Sequence, residues 1–232
     1  MRQKCPLCQS TQFLEHRGRP NERCRGCGSL ARTRYLALAI SKLAPPPSGY
    51  QVVHFAPEKG LAKLLHAKYA SHYVAADYAP ERYSNIGLPV KFVDLREPGS
   101  HFPPDSVQGF IHSHILEHIP APIDKVVTDM NNAVRKGGFH IFVLPVRGQR
   151  YREDLSPDLS PEERSVQFGH PEHMRDFGRR DLPDLLARWF SGWSQQDMSL
   201  HITEDELMSA NIPATAQSQM TGHSVFFFSK NS

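Results

Sequence analysis

The sequence is short of cysteine and of long apolar runs. Its four cysteines all lie within the first 27 residues, so the rest of the chain holds no thiol for covalent catalysis. No run of about 18 apolar residues occurs, so we predict no membrane-spanning helix and no membrane partner. The polar start Met1–Cys5 is unlike a secretion signal, and we expect a cytoplasmic protein. With 39% apolar residues, the 232-residue chain can form one full domain and a small accessory module.

The cysteines form two closely spaced pairs. Cys5 and Cys8 make the first pair, and Cys24 and Cys27 the second, in the pattern C-x2-C-x15-C-x2-C. Each pair can present two thiolates to one metal ion, and four thiolates close a tetrahedral Zn²⁺ site. Two disulfides are the alternative, but they need an oxidising compartment, to which nothing in the sequence points. The spacing therefore predicts a structural zinc site with no position open for substrate.

The first 34 residues are strongly basic. They contain eight arginines and lysines and two glutamates, a net charge of +6, which leaves −3 for the rest of the chain. A basic module on a mildly acidic body favours an anionic partner for the module. Small metal ribbons are also often basic for solubility alone, and the sequence leaves both interpretations open.

Changes in composition along the chain divide it into three predicted segments. Residues 1–34 form the predicted zinc ribbon, 35–49 a helix and proline-rich linker, and 50–232 the main domain. Ser29 is the predicted cap of the helix, which runs to about Leu43 before a run of prolines. Within the main domain, the polar stretch 146–180 is predicted to form a lid, and 201–222 an insertion.

After residue 50, short apolar strands alternate with helical stretches. The predicted strands are 51–55, 73–76, 90–93, 107–112, 139–144, 193–200 and 224–229, and the predicted helices are 61–69, 123–135 and 181–190. This alternation predicts an α/β fold, with a doubly wound, mostly parallel sheet and helices on both faces. Gly137 and Gly138 are expected to end the helix 123–135.

The ends of the strands are the candidate site, because doubly wound sheets bind ligands beyond the carboxyl ends of their strands. Asp77 follows the second strand, where its two carboxylate oxygens can accept hydrogen bonds from both hydroxyls of a ribose. Asp94 follows the third strand, within reach of an adenine amino group. The loop 55–60 lacks G-x-G-x-x-G and no tyrosine begins Tyr-x-x-x-Lys, so an NAD-dependent dehydrogenase is not expected.

Five short motifs carry a family resemblance. They are Val53–Glu58, Ala76–Asp77, Val93–Leu95, His114–Ile119 and Arg135–Gly138. With them, residues 50–145 resemble the class I S-adenosylmethionine-dependent methyltransferases. The resemblance implies a Rossmann-like sheet of seven strands whose last strand is antiparallel, which 225–228 fits. It also implies methyltransferase activity with S-adenosylmethionine as cofactor.

The resemblance implies that the cofactor contacts the ends of the first four strands. The residues placed there are Phe55, Ala56, Pro57, Glu58, Gly60, Asp77, Asp94, Leu95, His112 and Ser113. The first loop departs from the family, in which it is usually glycine-rich so that backbone can approach the cofactor. Here Gly60 is the only glycine and Pro57 lacks an N–H, so Glu58 becomes a candidate to contact the amino group.

The segment His114–His118 also matches H-x-x-E-H, an inverted zinc-protease motif. Such a site needs a long helix, whereas this segment begins at a strand end and is followed at once by Pro120 and Pro122. A metalloprotease is therefore a remote alternative. In the methyltransferase interpretation, His114 faces the transferred methyl group, and Glu117 and His118 shape the turn.

The predicted lid contains histidine, arginine and acidic residues crowded into 168–178. This composition is typical of a substrate-facing loop, and a solvated polar loop is the alternative. The predicted substrate-binding residues are His114, His118, His170, His173 and Arg175. His114 and His173 are the candidate general bases, because histidine can accept a proton near neutral pH.

The methyl acceptor is not specified by any motif. A small molecule is favoured, because the body is acidic and the ribbon has Phe13 but few other aromatic side chains on which RNA bases could stack. The alternative is an RNA-modifying or RNA-binding protein whose basic ribbon contacts phosphates.

Overall fold

A computed structural model of the protein describes residues 3–231. Met1 and Arg2, which belong to the predicted ribbon, and Ser232, at the end of the predicted main domain, lie outside the described residues. Within the described range the chain forms a small N-terminal hairpin module, the ribbon, and an α/β domain. No helix within residues 3–231 has the length and apolar character needed to cross a membrane.

The strands are β1 (Phe13–His16), β2 (Arg19–Cys24), β3 (Gln51–Phe55), β4 (Tyr73–Asp77), β5 (Val90–Phe92), β6 (Val107–Ser113), β7 (Val134–Val143), β8 (Arg152–Glu153), β9 (Arg175–Asp176), β10 (Trp193–Gln195) and β11 (Val225–Lys230). The helices are α1 (Ala31–Leu43), α2 (Lys59–Tyr69), α3 (Pro98–His101), α4 (Ile123–Ala133), α5 (Pro161–Phe168), α6 (Leu182–Trp189), α7 (Glu204–Ser209) and α8 (Thr215–Ser218). Short 3₁₀ segments include Pro80–Ile86 and Leu116–His118.

Seven strands form one sheet in the order β10-β11-β7-β6-β3-β4-β5. The strands from β7 to β5 pair in parallel, and β11 pairs antiparallel with both β7 and β10. One strand, the last in sequence, thus runs against the other six. The predicted fold class, a mostly parallel seven-stranded α/β sheet preceded by a small cysteine ribbon, is confirmed.

Apolar side chains explain why both faces of the sheet are covered. Strand β3 is buried from its second residue onward, as expected for a central parallel strand. Val126 of α4 and Leu185 of α6 belong to the apolar cluster on one face, and Leu36 of α1 and Leu65 of α2 to the cluster on the other. Helix α1 is therefore part of the core of the main domain.

Several element boundaries differ from the sequence expectation. Helix α1 begins at Ala31 with Leu30 as its N-cap, because the Ser29 hydroxyl lies against the sulfurs of Cys5 and Cys27 instead. Of the predicted strand 193–200, only Trp193–Gln195 is extended. The predicted lid contains the helix α5 and a small two-stranded sheet of β8 and β9, so it is more ordered than its composition indicated.

The glycine pair before the fifth parallel strand also has a different role. Helix α4 ends at Ala133, and β7 starts at Val134 and runs through Gly137 and Gly138. Gly137 has a φ of 72°, and a Cβ on Gly138 would collide with the carbonyl of Gln108 on β6. The two glycines therefore allow an irregularity inside the strand rather than ending the helix.

The ribbon is fixed to the main domain by Arg34 of α1. Its fully buried guanidinium donates hydrogen bonds to two ribbon carbonyls, those of Glu22 at 3.0 Å and Ser29 at 2.9 Å. It also donates to the carbonyls of Ala210 at 2.8 Å and Asn211 at 2.5 Å, after α7. One side chain thus satisfies four backbone acceptors from two separate parts of the chain.

Backbone contacts reinforce this attachment. The N–H of Lys4 donates to the carbonyl of Ser209 at 2.7 Å, and the side-chain amide of Asn211 donates to the carbonyl of Asn21 at the same distance. The predicted insertion 201–222 is therefore the part of the main domain on which the ribbon rests.

We predict that Arg34→Met lowers the free energy of unfolding by about 3 kcal/mol, because the methionine keeps much of the buried volume but leaves carbonyls without donors. Arg25→Met is the matched control, since Arg25 is exposed on the same ribbon and donates to the side chain of Gln12. Urea unfolding followed by circular dichroism measures both. Equal midpoints for the two variants would contradict the anchoring role of Arg34.

Candidate active site

The four ribbon cysteines converge on one point. Their sulfur atoms lie within 4.8 Å of one another, with Cys5 and Cys27 3.7 Å apart and Cys8 and Cys24 3.5 Å apart. A tetrahedral Zn²⁺ ion with Zn–S bonds of about 2.3 Å separates its sulfurs by about 3.7 Å. The cluster therefore has the dimensions of a four-thiolate zinc site, and the sulfurs are too far apart for disulfide bonds.

Small residues around the thiolates make this convergence possible. A Cβ on Gly26 would lie 2.9 Å from the sulfur of Cys8, so only glycine fits there. The Ser29 hydroxyl lies 3.2 Å from the sulfur of Cys27 and 3.5 Å from that of Cys5, where it can donate to a thiolate. These contacts are those expected around a closed metal site.

A cavity of about 1240 Å³ lies between the ribbon and the carboxyl ends of β3 and β6. We call it the cleft. Its floor includes Ala56, Glu58, Ser113, His114 and Glu117 of the main domain. This is the position at which doubly wound sheets bind ligands, so two of the four strand ends chosen from the sequence, those of β3 and β6, border a cavity.

The opposite wall of the cleft is the ribbon. It contributes a group of arginines from the hairpin, the second cysteine pair and the start of α1, namely Arg17, Arg19, Arg23, Arg25 and Arg32. The acidic groups on the cleft wall are Glu58 and Glu117. Because the arginines outnumber these carboxyls, the cleft favours an anionic ligand.

The loop after β3 turns sharply at Ala56. Its φ is 47°, and its N–H donates to the carbonyl of Ala76 at 3.1 Å, which ties the loop to the end of β4. Oε1 of Glu58 accepts a hydrogen bond from the hydroxyl of Thr33 on α1 at 2.6 Å. Its Oε2 is buried without a hydrogen-bond partner in the part of the chain that is described, and burial raises the pKa of Glu58.

Gly60 lies at a second contact between the ribbon and the main domain. A Cβ there would lie 3.3 Å from Cδ1 of Leu7 and 3.4 Å from the sulfur of Cys27. The glycine thus lets the metal ribbon pack against the start of α2. A contact between Gly60 and the cofactor stays a prediction, as does one from Pro57, which is buried on the cleft wall.

Asp77 at the end of β4 is held by two donors. Oδ1 accepts from the N–H of Ala79 at 2.8 Å, and Oδ2 accepts from the hydroxyl of Tyr83 at 2.9 Å. Tyr83 itself lies on the cleft wall, and burial raises its pKa, so its hydroxyl stays protonated. The structure therefore connects the predicted ribose-binding carboxylate to the cleft through a tyrosine that sequence reasoning did not identify.

Asp94 and its neighbours lie further from the cleft. Both carboxylate oxygens of Asp94 pair with the guanidinium of Arg96, which lowers the pKa of that carboxyl. Leu95 and Phe55 are buried in the same apolar cluster, where Phe55 stacks on Phe110. Any cofactor contact from Phe55 must come from its backbone at the end of β3.

The side chains of His112 and Ser113, at the end of β6, lie in different environments. The ring of His112 is fully buried, 3.0 Å from the ring of His140 and stacked on Phe142, and burial lowers its pKa well below the usual value. Ser113 reaches the cleft, where its hydroxyl accepts from Nε of Arg32 at 3.1 Å. The side chain of His112 thus belongs to the core and that of Ser113 to the cleft.

The half-buried His114 and the fully buried Glu117 lie side by side on the cleft wall. Nε2 of His114 lies 3.0 Å from the carbonyl of Gly222, so it carries the proton, and Nδ1 lies 3.5 Å from Oε1 of Glu117. Burial lowers the pKa of His114 to about 3 and raises that of Glu117 to about 8. The backbone of His114 has a φ of 55°, a conformation concentrated at functional sites.

Three further histidines line the cleft together. His118 follows β6, and His170 and His173 come from the predicted lid, with ring centroids 4.7 to 5.5 Å apart. Arg175, predicted to bind substrate, is fully buried and donates to the carbonyls of Leu116 and Ala121. It therefore holds the loop after β6 against the lid.

Sequence reasoning missed the residues that reach the cleft through tertiary packing. Arg32 and Thr33 lie at the start of α1, in a part of the sequence that was assigned to the ribbon without a role in the site, and Tyr83 lies in a 3₁₀ segment without periodicity. Glu117 was assigned to the turn, yet its carboxyl is fully buried beside the cleft. The sequence signal for a role of Glu117 in the site was its position between His114 and His118 in the H-x-x-E-H motif.

No family model matches the amino-acid sequence, and no curated protein matches it either. Solved structures do match the fold. An S-adenosylmethionine-dependent methyltransferase from Mesorhizobium loti aligns over 85% of this chain and 96% of its own, with 14% identity and a TM-score of 0.53. An S-adenosylmethionine-dependent methyltransferase from Archaeoglobus fulgidus aligns over 85% and 92%, with 12% identity and a TM-score of 0.53.

A third match is geranyl diphosphate C-methyltransferase from Streptomyces coelicolor, solved with Mg²⁺, geranyl diphosphate and S-adenosylhomocysteine. It aligns over 87% of this chain and 77% of its own, with 10% identity and a TM-score of 0.51. At these identities the matches establish the fold. The chain has the fold of S-adenosylmethionine-dependent methyltransferases, as its motifs indicated.

We predict that Cys24→Ser abolishes retention of one zinc ion per chain and releases the ribbon, because three thiolates no longer close the site. Zinc content by atomic absorption and hydrogen–deuterium exchange by mass spectrometry measure the two effects. Exchange should accelerate in 13–24 and stay slow in 139–143, the internal control within the sheet. Unchanged protection of the hairpin in the zinc-free variant would contradict a structural role for the metal.

Proposed function

We propose that the protein is an S-adenosylmethionine-dependent methyltransferase acting on a small anionic molecule bound between the ribbon and the sheet. The observation that carries the proposal is the cleft itself, which combines the strand ends of a methyltransferase fold with a wall of arginines. Bound S-adenosylmethionine supplies an electrophilic methyl group on a positively charged sulfur. The tasks of the chain are then to hold the cofactor, place the acceptor and exclude water.

The residues at the strand ends fit the cofactor in three respects. Asp77, backed by Tyr83, is suited to the ribose diol, since each carboxylate oxygen keeps a further acceptor position. Glu58 has a buried carboxylate oxygen without a partner among the described residues, which suits it to a cationic amino group. Ala56 and Ser113 line the same cleft as Glu58.

The acceptor side of the cleft contains His114 and the ribbon arginines. His114 donates through Nε2 to a backbone carbonyl, so Nδ1 is the nitrogen that can accept a proton, next to Glu117. This arrangement supports His114 as the group nearest the reacting atom, whether it accepts a proton or positions the acceptor. The ribbon covers this side of the cleft and so limits the access of bulk water to the reacting atoms.

Calorimetric titration with S-adenosylhomocysteine tests the cofactor assignment. We expect the wild type to bind and Asp77→Asn to weaken binding by about tenfold or more, because the amide offers one acceptor oxygen for two hydroxyl donors. Asp129→Asn is the matched control, since Asp129 lies on α4 and pairs with Lys125 at the surface. Absence of binding by the folded, zinc-loaded wild type would refute the proposal.

RNA is the second candidate acceptor, and one observation favours it. The hairpin arginines Arg17, Arg19, Arg23 and Arg25 are exposed, as expected of phosphate-binding side chains. A small molecule remains the better fit, because these side chains border the same cleft as Glu58 and the His114–Glu117 pair. The geranyl diphosphate enzyme shows that the same fold is used for a small anionic acceptor in another protein.

We predict that replacing Arg17, Arg19 and Arg23 together with glutamine lowers kcat/KM for a carboxylate or phosphate acceptor at least about tenfold, mainly through KM. Formation of S-adenosylhomocysteine over a panel of acids, phosphates and amines measures this. Arg135→Gln, on β7 against Tyr50, is the control. Filter binding of RNA at about 50 and 200 mM salt separates the alternatives, since tight, steeply salt-dependent binding would favour RNA over the small molecule.

A further inference from the structure

The three histidines of the cleft form a second cluster of metal-binding groups, separate from the cysteines. One ring nitrogen from each of His118, His170 and His173 lies within 4.8 Å of the others. The rings come from two distant parts of the sequence, the loop after β6 and the lid after α5. Neither the methyltransferase fold nor the proposed function requires them to meet.

Backbone and buried side-chain contacts fix the two parts relative to each other. The N–H of Met174 donates to the carbonyl of Glu117 at 2.7 Å, which places His173 directly beside His118. The buried guanidinium of Arg175 reinforces this junction through the carbonyls of Leu116 and Ala121. The histidines are therefore held in position by the fold before any ligand binds.

Two of the rings are oriented as metal ligands are. Nδ1 of His118 lies 3.2 Å from the carbonyl of Glu172, an acceptor, so Nδ1 carries the proton and Nε2 carries a lone pair. Nδ1 of His173 is buried without a hydrogen-bond partner in the described chain, which leaves this nitrogen available to a metal ion. Metal-bound histidines usually donate their other N–H to a backbone carbonyl, as His118 does to Glu172.

The third ring, that of His170, is held differently. Its Nδ1 accepts the N–H of Glu172 at 3.2 Å, a long bond that the ring gives up when it binds a metal through that nitrogen. It stands on the turn after Gly169, where the N–H of His173 donates to its carbonyl at 3.3 Å. The turn keeps both lid histidines on one side of the loop.

A buried carboxyl adjoins the cluster. Oε1 of Glu117 lies 3.9 Å from Nε2 of His118, and neither carboxylate oxygen has a hydrogen-bond partner among residues 3–231. A fully buried carboxyl without a partner is costly, and a neighbouring cation offsets that cost. This second observation points independently to a positive ligand beside the histidines.

We propose that His118, His170 and His173 bind a divalent transition-metal ion of the zinc type, with a coordination position open to the cleft. Imidazole nitrogens suit Zn²⁺, Co²⁺ and Ni²⁺, and three protein ligands with one open position are the arrangement of catalytic rather than structural zinc. The ribbon cysteines form the closed site and the histidines the open one.

The open position has a consequence that rests on the proposed function. An oxygen of an anionic acceptor can complete the coordination shell, which would fix the acceptor opposite the arginines. A metal-bound His173 has no free lone pair, so the base role predicted for His173 then falls to His114.

Titration with Co²⁺ tests the site, using the full-length protein whose cysteine site has first been filled with Zn²⁺. We expect one additional equivalent to bind, with visible d–d absorption and without the near-ultraviolet thiolate charge-transfer bands of a cysteine site. His118→Ala and His173→Ala should each weaken this binding at least about tenfold, and His170→Ala should also weaken it. His66→Ala is the matched control, since His66 is exposed on α2 outside the cleft.

Two outcomes would overturn the proposal. One is that the wild type binds no cobalt beyond the cysteine site, and the other is that the three cleft variants bind it as tightly as His66→Ala. Circular dichroism of each variant separates lost binding from lost folding. The titration uses no S-adenosylmethionine, so its result stands apart from that of the cofactor experiment.

Discussion

Arg34 donates hydrogen bonds to carbonyl groups of both the ribbon and the segment after α7, and it does so from a fully buried position. A guanidinium in such a place is stable only while all its acceptors are present, so the ribbon, α1 and the segment 210–211 assemble together. The rest of the site depends on this contact. Because the ribbon is fixed over the ends of β3 and β6, these strand ends border a cleft instead of an open surface.

The fold could be predicted from the sequence because its signals are local. Apolar runs of four to six residues alternate with helical spacing, and that alternation defines a parallel sheet. The predicted boundaries of helices and strands were wrong where side chains have partners elsewhere in the fold. Ser29 has the chemistry of a helix cap but is used by the thiolates, and the glycine pair at 137–138 serves a strand rather than a helix end.

The candidate site was predictable where spacing alone defines geometry. The cysteine pairs converge as their pattern indicated, and Asp77 lies at its strand end. What the sequence could not supply is which distant groups meet. Glu117 and the lid histidines are 50 residues or more apart, and a backbone hydrogen bond from Met174 to Glu117 is one of the contacts that join the two segments. Arginine is a common ligand-binding residue, but Arg175 is fully buried and donates hydrogen bonds to the loop after β6. It therefore supports the contact between the loop and the lid.

Arg17, Arg19 and Arg23 stand on a hairpin that lies beside the cysteine cluster and turns at Arg17 and Gly18, both with positive φ. Their side chains are exposed and contribute nothing to the core of the sheet. Substitution there can change the charge and shape of the cleft without altering the strand ends. Under the proposed function, acceptor choice and methyl transfer would thus reside on separate stretches of sequence, so that over evolutionary time the first could diversify while the second is kept.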